Sequence, residues 1–425
     1  MRWRAIVLAG CCLTALGIAP VGAAAEVRAG AAQASFELPA HVPLAGYSRR
    51  RGKPSEGVHD PVGVQALVIR DGDATLALAS CDLLIIDERL FDAVRDRLRA
   101  RGLPPDLTLL LAGTHTHSGP GAYGTKFLEK ISMGHFDPRV FEAITATTAQ
   151  TVARAYVQAA PVRLAYATAR TDGLVVNRVD PGGAVDPDLI VVGFYRQGEG
   201  DPFSVLTSFS AHPTTLGAWN RLVSADYPGV VARELERRWP DAVCLFFAGA
   251  VADQAPAKRG EGFERAESLG RPLAEQAAAA LEAAAPAAPD RIRALQERLA
   301  LPPAQVRLNR LVLPHWLGRR FVDDDATLSV AVVGRVVFIG APCDLAVSFG
   351  TSLKAAATAH GFNPMVIGFA NDYIGYCVPE ALYEAKQYES SMAFNGPKAG
   401  ELVAERLIEM MDRVSNQQSA IGNQP

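Results

Sequence analysis

The sequence has no run of more than three consecutive basic residues, no Ser/Gly-rich linker, no internal repeat, and no long apolar stretch beyond its first 25 positions. Each absence removes a class of protein. With no basic run longer than Arg49-Arg50-Arg51, and with a formal net charge of −3, the chain lacks the extended electrostatic footprint of a nucleic-acid binder. Without linkers or repeats, its 425 residues read as one large unit rather than an array of small ones. Cysteine is scarce: of six, Cys11 and Cys12 fall in the leader, and Cys81, Cys244, Cys343 and Cys377 remain. Four cysteines in a chain of this length are no disulfide framework, so buried thiols are expected. What is present is ordinary for a folded enzyme, with 49% hydrophobic and 20% charged residues.

Residues 1–25 read as a signal peptide. Arg2 and Arg4 form a short basic region, Ala5 to Val21 is apolar, and Gly22 to Ala25 are small enough for a signal peptidase. The apolar run is interrupted by Gly17 and Pro20 and is short for a bilayer span. The expectation is an exported protein, periplasmic or secreted, with a lipoprotein tether at Cys11 as the minor alternative. Residues 26–416 then form a single large catalytic domain, and 417–425 a disordered tail.

Strand-like and helix-like runs alternate. Val64–Ile69, Thr75–Cys81, Thr108–Ala112, Val162–Thr168, Leu189–Tyr195, Ser204–Ser210, Ala242–Phe247, Leu328–Val333 and Val336–Ile339 are rich in strand-forming residues or bounded by turns. Glu88–Ala100, Val140–Ala159, Gly229–Arg238, Phe263–Ala285 and Lys398–Arg413 carry apolar residues at helical spacing. The predicted fold is α/β, a mixed β-sheet core flanked by helices.

The densest chemical signal is Gly113-Thr114-His115-Thr116-His117-Ser118-Gly119-Pro120-Gly121, placed where an apolar strand ends. On an extended chain, His115 and His117 project to the same face, as a metal or hydrolytic centre requires. His212 stands at the end of another apolar run, Val205–Phe209. Alone, each is as well explained by a structural histidine; together, three at strand ends point to a Zn2+ site.

Further landmarks follow in order: Leu44 to Tyr47, Gly57 to Asp60, Asn177-Arg178, Ser224 to Asp226, Gly249 to Pro256, and Ala370 through Tyr373 to Glu389. With the histidine motif, this series resembles the N-terminal catalytic domain of the neutral/alkaline (non-lysosomal) ceramidases. The resemblance implies a catalytic Zn2+ held by His115, His212, Asp344 and Tyr376. It also implies catalytic roles for His117 as a second histidine, Arg178 as a substrate or oxyanion contact, and Tyr388 as a donor to the reacting carbonyl. Asp253, or Asp226, would orient a histidine; for both, a helix cap or turn is an equally good reading.

Two departures stand out. Asp344 occupies a position where the family usually has Glu. Ala255, in Ala252-Asp253-Gln254-Ala255-Pro256, stands where ceramidases carry a serine. Alanine is no nucleophile, so the expected chemistry is amide hydrolysis of an N-acylsphingosine or related N-acyl lipid by zinc-activated water. The alternatives are a zinc esterase, lactonase or amidase for a small polar substrate, and a non-catalytic binding protein that has kept the pocket. A small-molecule or lipid amide is the expected partner, which allows peripheral membrane contact; neither nucleic acid nor a protein partner is indicated. Cys343 and Cys377, each beside an implied ligand, are a candidate disulfide, with buried thiols favoured.

Overall fold

The computed structural model describes residues 26–72, 74–308, 311–318 and 321–422; the expected signal peptide and the lipoprotein-type Cys11 lie outside the described residues. Three sheets share one interior. The first two form a continuous ribbon of eight strands, running Val243–Ala248, Pro202–Phe209, Asp188–Arg196, Ala160–Arg170, Arg28–Ser35, Gly63–Asp71, Ala74–Cys81 and Thr108–Gly113. At its middle only two residue pairs join Arg28–Ser35 to Ala160–Arg170, so the ribbon folds there into two halves. Ser80 Oγ donates to Phe246 O at 2.5 Å, linking strands near opposite ends of the ribbon. The third sheet has the order Ile292–Ala300, Asp325–Val333, Val336–Gly340, Asn363–Ile367.

Side chains from all three sheets meet in a central core that includes Leu67, Leu110, Phe194, Phe247, Phe338 and Ile367. Burying each large apolar side chain contributes roughly 1.5–3 kcal/mol. Truncating one of these phenylalanines would cost about 3–5 kcal/mol and loosen every sheet at once. The outer faces are covered separately. Helices Glu88–Ala100 and Pro138–Val157 pack on the first half-ribbon, and Asp226–Arg238 and Glu264–Glu282 on the second. Val347–Ala359 and Ala399–Gly422 cover the third sheet. The predicted α/β class, a mixed sheet core flanked by helices, is the observed one.

Within these three sheets most strand pairs are antiparallel, but three are parallel: Ala74–Cys81 with Thr108–Gly113, Pro202–Phe209 with Val243–Ala248, and Val336–Gly340 with Asn363–Ile367. The segments leaving the carboxyl ends of these pairs converge, the usual location of sites in sheets with parallel strands. His115, His212 and Asp344 lie within a few residues of such ends, and Tyr376 pairs with Asp344 in a short strand farther along.

Several elements escape the sequence pattern. Arg28–Ser35, reading Arg-Ala-Gly-Ala-Ala-Gln-Ala-Ser, holds no β-branched or aromatic residue, yet pairs along its whole length with Gly63–Asp71. Small side chains serve it because the helix Pro138–Val157 lies close: a Cβ at Gly30 would sit 2.3 Å from Ala155 O. Ile292–Ala300 and the Ala-rich helix Val347–Ala359 were also not separable by periodicity. The tail expected to be disordered from residue 417 is helical as far as Gly422, because Ala399–Gly422 continues without a break. Cys81, Cys244, Cys343 and Cys377 are all buried free thiols; Cys343 and Cys377 share one core and are in side-chain contact without a bridge.

Candidate active site

His115 and His117 leave the end of Thr108–Gly113 and His212 leaves the end of Pro202–Phe209, from opposite arms of the folded ribbon. Their Nε2 atoms meet. The separations are 2.9 Å between His115 and His212, 3.0 Å between His117 and His212, and 3.2 Å between His115 and His117. The route differs from the extended chain expected from sequence: His115 adopts a left-handed backbone, φ 63°. That conformation is costly for a residue with a side chain and persists where its surroundings fix it. Here His115 N donates to Leu83 O, its Nδ1 contacts Leu84 O at 2.7 Å, and its ring stacks on Phe369 at 3.7 Å. His212 is held in the same manner through Nδ1 and Val251 O at 3.3 Å.

His117 is held differently. Its Nδ1 faces Gly46 and makes no hydrogen bond of comparable geometry. Gly46 is required there: its φ is +99°, and a Cβ would lie 2.5 Å from His117 Nδ1. Tyr47 packs against the ring, and Arg50 donates to His117 O at 2.6 Å.

Across the cluster, the short parallel pair Asp344↔Tyr376 presents a carboxylate and a phenol. Asp344 is fully buried; its Oδ2 accepts from Tyr373 OH at 2.8 Å, while its Oδ1 has no hydrogen-bond partner and lies 3.7 Å from His115 Nε2. Arg178 Nη2 donates to Tyr376 OH at 3.0 Å, and Arg178 Nε pairs with Glu389 Oε1 at 3.2 Å. Tyr388 sits edge-on to Tyr376 and is 60% exposed at the mouth of the cleft. Asp253 stands apart from the histidines. Its Oδ1 accepts from Val347 N, at the start of the helix following Asp344, and its carbonyl accepts from Arg178 N. Asp253 therefore joins two site segments, its carboxylate holding Val347 N and its backbone carbonyl holding Arg178 N, in keeping with the cap-like reading given for it. Asp226 likewise accepts from Thr215, Leu216 N and Tyr227 N, in a helix-start turn.

The electrostatics suit a cation. Burial lowers the His115 pKa to about 3 and pushes His117 and His212 well below the ordinary imidazole value. Burial also raises Asp344 to about 7, and Tyr376 well above the usual phenol range. Neutral imidazoles that use Nδ1–H toward Leu84 and Val251 carry lone pairs on Nε2, so His115 and His212 face each other acceptor to acceptor. Acceptors at 2.9 Å cannot satisfy one another, and the Asp344 Oδ1 is also unpaired. One divalent cation answers both deficits, and imidazole nitrogens fixed through their other nitrogen to carbonyls are the usual donors. Sequence reasoning missed Tyr373, Phe369 and Glu389 as supporting residues; their nearness to Asn371 and Tyr388 in the motif series was the available signal.

An apolar cleft runs from the histidines between Leu84, Ile85, Leu128, Met133, Val322 and Phe394. A larger cavity, about 380 Å³, lies near Asp60, Asp82 and Glu236 and touches none of the three histidines. The chemistry therefore selects the smaller space.

A folded ribbon of strands with a buried three-histidine cluster at converging strand ends defines an α/β protein with a candidate metal site. The family model for the N-terminal region of neutral/alkaline non-lysosomal ceramidases matches residues 37–262, and the chain belongs to that family. It is 27% identical over 212 residues to neutral ceramidase of Pseudomonas aeruginosa, covering 46% of this chain and 31% of that protein. The neutral ceramidase of Mycobacterium tuberculosis is 27% identical over 229 residues, covering 47% and 36%. The matched stretch thus spans about a third of the length of these relatives. The crystal structure of the Pseudomonas aeruginosa neutral ceramidase superposes with a TM-score of 0.82 at 21% identity, covering 92% of this chain and 75% of that one. A ceramidase complexed with C2 gives a TM-score of 0.81 at 20% identity. These superpositions show a shared fold.

Proposed function

We propose that the protein is an exported zinc-dependent amidohydrolase of the ceramidase type, cleaving the amide of an N-acylsphingosine or related N-acyl compound. The observation that carries the reading is the convergence of three Nε2 atoms beside an unpaired buried carboxylate oxygen, at the end of an apolar cleft. Family membership and the neutral ceramidase relatives support hydrolysis of this class of amide. Export rests on the leader read from residues 1–25.

His115, His212, Asp344 and Tyr376 would hold the zinc. When bound, it supplies a Lewis acid for the carbonyl and lowers the pKa of a water toward about 7. His117, whose Nδ1 is free of a strong partner, is the group that can carry a proton to the leaving amine. Arg178 keeps the Tyr376 hydroxyl in place and puts positive charge beside the developing oxyanion. Tyr388, at the cleft mouth, can donate to the same oxygen. The apolar walls exclude competing water. No serine is needed at Ala255 in such a scheme.

The test combines metal analysis with an amide-hydrolysis assay. The reading expects about one zinc per chain and release of the amine from an N-acyl substrate, both lost on chelation and restored by zinc. Purified protein with stoichiometric zinc and no turnover on any N-acyl compound would identify a binding protein instead.

A further inference from the structure

The cleft beside the histidines is bordered by a strap that is fixed at several points. Phe321 and Val322 line it, and Asp323 follows them in the chain. Lys126, at the start of the helix Phe127–Met133, forms an ion pair with Asp323. Phe321 meets Phe127 edge to face, with ring centroids 5.7 Å apart. Val322 and Phe394 pack with Ala304 and Val306 in a small core of their own. Asn395 Nδ2 ties the segment down through Asp323 O at 3.4 Å and Pro302 O at 3.1 Å. The strap is thus fixed by an ion pair, an aromatic contact, a hydrophobic cluster and a hydrogen-bond staple.

The space left is small. The cleft holds about 90 Å³. A dry cavity that takes one benzene molecule has about 150 Å³, and pockets for larger ligands run about 300–1,000 Å³. By that scale the cleft has room for three or four carbon atoms, about half of what a six-to-eight-carbon chain needs. Most of its exposed wall is hydrocarbon, although Lys126, Glu129 and Ser132 also line it, so it suits a short hydrocarbon group rather than a charged one.

Resting on the amidase reading, we propose that Phe321–Asp323, pinned by Lys126, is the specificity determinant of the site. The preferred substrates are then short-chain N-acyl amines of up to about four acyl carbons, and long-chain N-acyl lipids are poor ones. Within the cleft each added methylene is worth about a fourfold gain in affinity, from the transfer of one CH2 out of water. The gain ends where the chain meets Phe321 and the Lys126–Asp323 pair.

The experiment uses the zinc-loaded full-length protein with two series. Acetate, propionate, butyrate, hexanoate, octanoate and palmitate are titrated by calorimetry, and sphingosine N-acylated with the same chains is assayed for hydrolysis. The expected result is affinity rising to butyrate and falling from hexanoate onward, with kcat/KM for the short acyl groups at least tenfold above that for palmitoyl. Phe321→Ala should move the break toward octanoate by removing the ring. Lys126→Ala should do so by releasing Asp323; it keeps the backbone N–H that caps the helix, so it serves if the first variant is unstable. Palmitate or palmitoyl preferred by the unaltered protein, or a break that stays in place in both variants, would overturn the proposal. Failure to hydrolyse any member would refute the amidase reading instead, while the carboxylate series still reports on the strap.

Discussion

The two walls of the site come from opposite halves of the chain and are prepared in opposite ways. The histidine wall, from residues 115 to 212, lies inside the stretch matched by the family model. Its candidate ligands are imidazoles whose Nδ1 atoms are held by backbone carbonyls, and burial keeps the rings neutral. The oxygen wall, Asp344 with Tyr373 and Tyr376, lies beyond that stretch. Its groups are held by other side chains, and burial shifts them toward their protonated forms. Backbone-held ligands depend on the sheets; side-chain-held ligands depend on each other. The first wall should be insensitive to nearby substitution and the second sensitive.

The largest effect expected is from breaking the histidine wall itself. His115→Ala and His212→Ala should each reduce bound zinc to a small fraction of one per chain, with activity falling by more than about 100-fold, the upper end for losing an outer partner of a ligand. His117→Ala should keep most of the zinc and lose turnover, because its ring lacks the carbonyl anchor of the other two. Metal analysis of the three variants decides the assignment; equal zinc loss in all three would make His117 a ligand.

Next in size is an outer partner on the oxygen wall. Tyr373→Phe removes the hydroxyl that donates to Asp344 Oδ2 and leaves both carboxylate oxygens without that partner. Zinc affinity should fall about 10–100-fold. Competition with a chelator of known affinity measures it. A change within twofold would mean that Asp344 is placed by its strand pairing with Tyr376 alone.

The histidines were legible in the sequence because strand ends followed by Gly and Pro are punctuated locally. Asp344 and Tyr376 were reachable only through resemblance to a family, since neither lies in a locally diagnostic pattern. What no pattern could give was the meeting of the walls. It depends on a ribbon that folds at a two-pair joint between Arg28–Ser35 and Ala160–Arg170, and the first of these strands carries no strand-forming residues. A cap role for Asp253 was legible, but not its partner: Val347 begins a helix whose own N-cap is Ala346, so nothing local marks which residue would be capped.

A pH-dependent effect compares a buried carboxyl from each half. Burial raises Asp82, beside the histidine strand, to about 7 and Asp372, beside Tyr373, to about 8, from an ordinary value of 3.8. Both folded values lie above the unfolded one, so the native state binds more protons between them. Stability from each group is full below about pH 4 and is lost as pH rises through 7 for Asp82 and 8 for Asp372. The slope approaches about 1.4 kcal/mol per pH unit for each group inside its window. Urea midpoints of the metal-free protein from pH 5 to 9 should show Asp82→Asn flattening the curve up to pH 7 and Asp372→Asn up to pH 8. An unchanged curve in both would show that neither carboxyl is protonated in the folded protein.

The smallest effect is expected between the walls, at Ala255. Gln254–Pro256 is a short strand paired with Val175–Asn177, placing Ala255 opposite the partly exposed Val176, just after the Asp253 brace. Ala255 is only partly buried, so one added hydroxyl meets water or the neighbouring backbone rather than a packed core. Ala255→Ser should therefore change stability by no more than about 0.5 kcal/mol, the usual range for substitutions away from special features. If hydrolysis uses water, the serine adds nothing essential, and the unaltered protein already turns over amide. A serine-directed covalent reagent should then leave it active. Stoichiometric labelling of the unaltered protein with loss of activity would instead place a nucleophile elsewhere in the chain and remove the reason for assigning the chemistry to a metal-activated water.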